Sequence, residues 1–284
     1  HKEYMSLDLR GFKILVYLRL QFLNCELYLP ESGSLSVLIM NSIRLCNSCC
    51  DVLGRTLAHC NKLKRFSIHD TDLHKCLSDL SNMKELTFLE ISQVTLSSSC
   101  CDVLGRTLAH CNKLKTLKIH NTVLHDCMLD LSNMTELTVL DMSSVKLSSS
   151  CCDILGMTLT HCTKLETLKI HNTVLHDCML DLSNMTELTV LDMSSVKLSS
   201  SCCDVLGRTL KHCTKLEKLK IHNTDLHDCM LDFSNLTELH TIRLDKTILS
   251  TSASETLALS FVKLKAAKEQ FESYNFNMSQ IDND

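Results

Sequence analysis

Apolar residues along this chain recur in a fixed order. Leu114, Leu117, Ile119, Thr122 and Leu124 follow the pattern L-x-x-L-x-L-x-x-(N/C/T)-x-L, and Leu137, Leu140, Met142, Val145 and Leu147 repeat its offsets. Units open at Leu35, Leu63, Leu86, Leu114, Leu137, Leu165, Leu188, Leu216 and Leu239, separated alternately by 28 and 23 residues. Leu15, Leu18 and Leu20 offer an earlier, imperfect unit. Two units make a cassette of 51 residues. The stretch Cys100 to Ser150 recurs at Cys151 to Ser201 with five of 51 positions changed: Val103/Ile154, Arg106/Met157, Ala109/Thr160, Asn112/Thr163 and Lys115/Glu166. Looser copies open at Cys49 and Cys202. A fixed period of this size marks a stacked array in which each unit buries its apolar face against the next.

Within a unit, leucines at two-residue spacing predict a short strand with its leucines inward and positions 2, 3, 5, 7 and 8 outward. The 28-residue interval carries a helix. There Cys101, Leu104, Leu108 and Cys111 stand at i, i+3, i+7 and i+10 as one buried stripe, Ser99 reads as the N-cap, and Asp102 suits the positive helix start. The 23-residue interval is too short for a comparable helix, and Leu131, Met134 and Leu137 predict a tight or extended return. Gly54, Gly105, Gly156 and Gly207 fall mid-helix, where glycine costs about 1 kcal/mol against alanine. Bearing that cost in every copy predicts close approach of a neighbouring backbone. The chain thus divides into an irregular opening (1–34), an array of nine units (35–250), and a closing segment (251–284). In the last, Ser254 to Tyr274 predicts a capping helix with Leu257, Phe261, Leu264 and Phe271 on one side, followed by a polar, disordered tail.

The strand units resemble the leucine-rich-repeat family over most of the chain. The resemblance implies an α/β solenoid of horseshoe form, with a parallel sheet on the concave face and helices on alternate units of the convex face. Position 9, often Asn in that family, is here Thr71, Thr122, Thr173 and Thr224 alternating with Val94, Val145 and Val196. Threonine donates one bond to neighbouring backbone and valine none, so a continuous asparagine ladder is not expected. The stretch L-G-R-T-L-A-H-C-N-K-L-K-T-L-K-I at Leu104 to Ile119 resembles the ribonuclease-inhibitor-type repeats of NACHT-containing intracellular immune receptors. That implies a non-catalytic, protein-binding region that senses ligand and restrains activation. The H-C-x-x-L-x-x-L-x-I stretch at His110 to Ile119 is also similar to repeats of F-box substrate adaptors of ubiquitin ligases. A secreted or cell-surface receptor ectodomain is a third reading.

Charge and composition narrow the partners. The net charge of −4 supplies no basic field for nucleic acid. No apolar run approaches the roughly 18 residues of a membrane helix. His1 in place of Met, with no visible signal peptide, makes the sequence read as a fragment or processed piece. The 18 cysteines follow the repeat rather than a capping pattern, which predicts buried, reduced thiols and a cytoplasmic setting. Four N-x-S/T sequons, at Asn133, Asn184, Asn235 and Asn277, point the other way, although three lie inside the repeat's own S-N-M/L-T-E-L turn. No C-x-x-C pair exists, and a zinc site joining Cys111, facing inward, to His120, facing outward, would contradict the fold. Adjacent His110 and Cys111 diverge on a helix, and a buried thiol is inert, so neither metal, cofactor nor catalysis is expected.

The candidate protein-binding face lies on the outward strand positions. Position 5 reads Ser67, Glu90, Lys118, Asp141, Lys169, Asp192, Lys220 and Arg243, a ladder of alternating charge. Position 7 reads His69, Ser92, His120, Ser143, His171, Ser194, His222 and Asp245, with histidines on every second strand about 9.6 Å apart. Solvated histidines there would charge near pH 6 to 6.5 and tune a partner. Aromatics and arginines anchor interfaces. The divergent ends, with Arg65, Phe88, His240, Arg243 and Lys246, are therefore the expected anchors, and the duplicated middle reads as spacer.

Overall fold

The structure is a computed structural model that describes residues 5–12, 14–21, 25–28, 33–44, 47–71, 82–124, 127, 129–175, 178–226 and 229–267. They fall into two compact units, residues 1–136 and 137–284.

In the first unit, strands β1 (Met5–Asp8), β2 (Tyr17–Gln21), β3 (Cys25–Tyr28), β4 (Val37–Asn41), β5 (Arg65–His69), β6 (Phe88–Ser92), β7 (Thr116–His120) and β8 (Val123–Leu124) alternate with helices α1 (Asn47–His59) and α2 (Ser98–Leu108). Strands β2, β4, β5, β6 and β7 pair in parallel in that order. Their register stacks Leu18, Leu38, Phe66, Leu89 and Leu117 in one column, and Leu20, Met40, Ile68, Ile91 and Ile119 in the next. All but Leu18 are buried, at about 1.5 to 3 kcal/mol per side chain. The described residues of the opening segment are therefore more regular than expected. The Leu15 unit supplies a strand in full register, and β1 and β3 form a separate parallel pair.

The second unit holds β9 (Val139–Asp141), β10 (Lys146–Leu147), β11 (Thr167–Lys169), β12 (Val190–Asp192), β13 (Lys218–Lys220) and β14 (Thr241–Arg243), with helices α3 (Ser149–Leu159), α4 (Ser200–Thr209) and α5 (Thr251–Ala267). A 3₁₀ turn, Leu210–His212, extends α4. Strands β9, β11, β12, β13 and β14 pair in parallel, with Leu140, Leu168, Leu191, Leu219 and Ile242 in one column. Each unit thus repeats one coil: strand, turn, then helix or extended return.

Three local devices hold the coil. The helix start falls two residues earlier than expected. Ser97, Ser148 and Ser199, in extended conformation, cap α2, α3 and α4 and accept the N–H of Cys100, Cys151 and Cys202. Ser99 therefore lies inside the first turn, and Asp102 falls beyond it. Three consecutive serines disguised the choice; the first wins because its side chain reaches the N–H three residues on. Secondly, position 8 of all nine units adopts a left-handed backbone: Ser42, Asp70, Gln93, Asn121, Ser144, Asn172, Ser195, Asn223 and Lys246. That conformation turns the chain out of the strand, and short polar side chains tolerate it best. The freed N–H is used between coils, as in Asp70 N to Ser92 O and Asn172 N to Ser194 O. Thirdly, the position 9 threonines of the second unit bond to adjacent coils, Thr173 Oγ1 to Met142 O and Thr224 Oγ1 to Met193 O.

Two of the helical glycines, Gly156 and Gly207, meet a backbone, as their recurrence implies. A Cβ on Gly156 would stand 2.9 Å from Met179 O, and one on Gly207 would stand 2.7 Å from Met230 O. The extended return thus lies directly over the preceding helix. The closing helix begins at Thr251, not Ser254, with Ser250 Oγ accepting the N–H of Ala253 as the other caps do. It stands 51 residues after α4 and is one more repeat helix, burying Ala253, Leu257, Ser260 and Leu264. Phe261 of this helix meets Phe233 edge-on, ring centroids 5.5 Å apart. Phe271, Tyr274 and the tail lie outside the described residues.

Candidate protein-binding face

Alternation along each strand sends one set of side chains into the core and the other to the sheet face. In the first unit the face is built round Phe88. The Arg65 guanidinium stacks 3.6 Å above its ring, and Lys118 Nζ lies 5.7 Å from the same ring. Such contacts contribute about 0.5–1 kcal/mol each at an open site. Glu90 sits among them, 4.0 Å from Arg65, 3.7 Å from His120 Nε2, and accepting the Ser67 hydroxyl at 3.2 Å. Arg65, Phe88, Glu90, Lys118 and His120 are thus one cluster, all partly exposed. Ser67 contributes little surface, since it is buried beneath Glu90.

The second unit organises its face differently. Asp141, Lys169, Asp192, Lys220 and Arg243 follow one another in register, as the alternating ladder required. Lys220 reaches Asp192 at 3.7 Å, and Arg243 turns to Asp245 at 2.8 Å. Asp192 is itself buried, so Lys220 and Asp192 neutralise one another within the row. His240 pairs with Glu217 at 3.6 Å. Lys246 occupies the exposed left-handed position instead of a strand.

The position 7 row departs from the solvated histidines expected. Ser92, Ser143 and Ser194 are buried, and each histidine is only partly exposed. His69 Nδ1 shares a hydrogen bond with Ser92 at 2.5 Å, and His171 Nδ1 with Ser143 at 2.8 Å. The cause is the left-handed residue at position 8: it closes the strand there and tucks position 7 under the turn. His222 differs, because its Nδ1 and the neighbouring Ser194 Oγ are buried and have no hydrogen-bond partner among the described residues. Burial, and next the Arg243 cation, holds the His222 pKa below the ordinary imidazole value. The folded state therefore binds this proton less tightly than the unfolded chain. Stability from the neutral ring is complete above about pH 6.5 and declines as pH falls. Urea midpoints at pH 7.5 and 5.5 should differ more for the parent chain than for His222→Gln; equal differences would contradict the assignment.

Two further expectations meet the structure away from the face. Two of the sequon asparagines are structural: Asn133 Nδ2 donates to Ala109 O at 3.0 Å and Asn184 Nδ2 to Thr160 O at 3.3 Å, closing the helix C-termini. Asn82, which is not in a sequon, makes the same bond to Ala58 O at 2.8 Å. The helix end thus accounts for the asparagine without a glycan; Asn277 lies outside the described residues. The cysteines require a correction. The stripe Cys101, Leu104, Leu108 and Cys111 is buried as expected. Burial pushes the thiols of Cys60 and Cys111 up to about 11, and those of Cys162 and Cys213 up to about 12. Yet Cys203 and Cys229 form a disulfide, and Cys50 is disulfide-bonded too, so uniformly reduced thiols do not hold. Return-segment cysteines pack directly against the helix's second cysteine, a contact that spacing within the helix alone does not reveal. Among the described residues, no group of three or more His, Cys, Asp or Glu side chains is placed to hold a metal, and no helix is long and apolar enough to cross a membrane.

No protein-family model matches the chain, and no curated protein does. Solved structures do. A chain of the octameric complex of Latrophilin 3, Unc5D and FLRT2, the last contributing leucine-rich repeats, superposes with a TM-score of 0.59 at 20% identity, over 83% of this chain and 68% of that one. A chain of the TLR13–ssRNA13 complex gives 0.55 at 18% identity, over 84% of this chain and 34% of that one. This chain therefore spans about a third of the TLR13 chain. At these identities the likeness concerns the fold, which is that of the leucine-rich repeat.

Proposed function

We propose that the chain is a non-catalytic, protein-binding repeat region whose main contact surface is the sheet face of the first unit. The observation that carries this is the Arg65–Phe88–Lys118 cluster round Glu90. Outward positions of β2, β4, β5, β6 and β7 carry Arg19, Arg65 and Lys118 against the single carboxylate Glu90, beside exposed Tyr17 and partly exposed Val37, Ile39 and Phe88. Cationic and apolar groups side by side fit an acidic polypeptide segment that also bears apolar residues. The Latrophilin–Unc5D–FLRT2 neighbour is itself part of a protein complex, which supports a protein partner. TLR13 is captured with single-stranded RNA, but the net charge of −4 here favours a polypeptide.

The finer reading is the ligand-sensing, autoinhibitory repeat region of a NACHT-type receptor in the cytosol. Its support is the resemblance of Leu104 to Ile119 stated above; the F-box-adaptor resemblance rests on the same residues. A second reading, a secreted or cell-surface receptor ectodomain, is favoured by the Cys203–Cys229 bond, since such bonds persist in oxidising compartments.

Binding to a peptide library of graded acidity and aromatic content tests the proposal. The parent chain should select acidic, apolar-containing peptides, with affinity falling as salt rises. Arg65→Ala and Phe88→Ala should each weaken that binding tenfold or more, by about 1.4 kcal/mol, while Lys169→Ala leaves it within about threefold. Selection unchanged by both first-unit substitutions would refute the site.

A further inference from the structure

The disulfide between Cys203 and Cys229 joins the second cysteine of a repeat helix to a cysteine 26 residues later in the extended return. The same pair occurs in every cassette. Cys152 and Cys178 stand 26 apart, as do Cys101 and Cys127, and the bonded Cys50 has Cys76 at that distance in the sequence. The copies holding 101–127 and 152–178 differ at none of these positions or their immediate neighbours. We propose that this pair is a cross-linking site carried by every cassette, and that Cys152–Cys178 and Cys101–Cys127 close as Cys203–Cys229 does when the chain folds with a low-molecular-weight disulfide.

The open pairs already bring the two residues of each pair into contact. Cys178 Sγ donates to Cys152 O at 3.1 Å, and Cys127 Sγ to Cys101 O at 3.2 Å, so each return thiol sits on its partner residue's backbone. The two thiols also act on one another, Cys178 holding the Cys152 pKa down and Cys152 pushing that of Cys178 up. All four residues are fully buried. The close approach of the return at Gly156 to Met179 is the same contact that Gly207 makes with Met230, one residue beyond each pair's second cysteine. Vicinal cysteines divide the labour. Cys202, the first of its pair, points the other way, donating to Cys178 O and Leu175 O of the preceding coil. In α5 the equivalent of Cys203 is Ser254, whose buried hydroxyl has no hydrogen-bond partner among the described residues, and the residue 26 further on is Gln280. Both halves of the pair are thus missing together from the last copy.

The chemistry is thiol–disulfide exchange. One protein thiolate attacks the S–S bond of the small disulfide and releases one small thiol. The second protein thiolate then displaces the other, so two protein S–H groups become one S–S bond while one small disulfide becomes two thiols. Because the native pair is buried, closure belongs to folding.

The full chain, folded once in glutathione/glutathione disulfide and once in excess reductant, is alkylated after denaturation and its thiols counted by intact mass, with linked peptides mapped. Four closed pairs take up eight of the 18 cysteines, so ten thiols are expected in the oxidised sample, with Cys152–Cys178 and Cys101–Cys127 linked. In Cys178→Ser, Cys152 should appear as an alkylated thiol while Cys203–Cys229 stays linked. Recovery of Cys152 and Cys178 as thiols beside an intact Cys203–Cys229, or linkage of Cys178 to Cys202, overturns the proposal.

Discussion

Replacing Gly207 by valine should destabilise the second unit by more than about 3 kcal/mol, and even alanine should cost about 1–3 kcal/mol. At an ordinary helical position glycine-to-alanine would instead gain about 1 kcal/mol. The sign reverses because the new Cβ would stand 2.7 Å from Met230 O, a backbone atom that cannot rotate away. Either α4 or the return carrying Cys229 must shift, disturbing the burial of Leu206 and Leu231. The last repeat helix supplies the control. There the equivalent residue is Ala258, and it is exposed, so Ala258→Gly should simply lose about 1 kcal/mol. Urea unfolding, with hydrogen exchange of the α4 amides, measures both. A stabilised Gly207→Ala chain would mean that the return does not press on the helix.

Removing the ring of Phe233 should cost about 3–5 kcal/mol. This side chain is fully buried and meets Phe261 edge-on, binding the closing helix to the last extended return. The two preceding copies place Leu131 and Leu182 here, both fully buried. Phe233→Leu should therefore recover much of the loss, since leucine fits the coil and forfeits only the ring contact, about 0.5–1.5 kcal/mol. Phe233→Ala removes the ring against which Phe261 of α5 packs, so exchange in α5 should quicken before that in α4. Uniform loss across both helices would assign Phe233 to the general core instead of the end.

The leucine framework was legible in the sequence because burial demands the same offsets in every copy. Leu114, Leu117, Leu137, Leu140, Leu165 and Leu168 are all fully buried. The Gly contacts were legible for a similar reason: a costly residue repeated at a fixed period needs a neighbour. Other features carried no such signal. Ser97, Ser98 and Ser99 are alike as letters, and only geometry selects the first. The left-handed position 8 escaped notice because none of its nine occupants is glycine. That in turn hid the burial of the position 7 serines. The disulfide was illegible because Cys203–Cys229 and Cys152–Cys178 are the same residues in the same setting. At the candidate face, Arg65 and Phe88 were read as an anchor, but their stacking, and the capture of Glu90 between Arg65 and His120, depend on strand register.

A parallel ladder always ends on a strand with unsatisfied backbone, and such a strand invites other chains to add on. Here the outermost strand of the second unit, β14, offers only Thr241 to Arg243 before Lys246 turns the backbone left-handed. A template of three residues, flanked by an arginine and an aspartate already paired, is too short and too charged to seed a growing fibril. The edge of this strand thus gives a second chain little backbone to pair with, and lengthening it beyond Arg243 would widen that template.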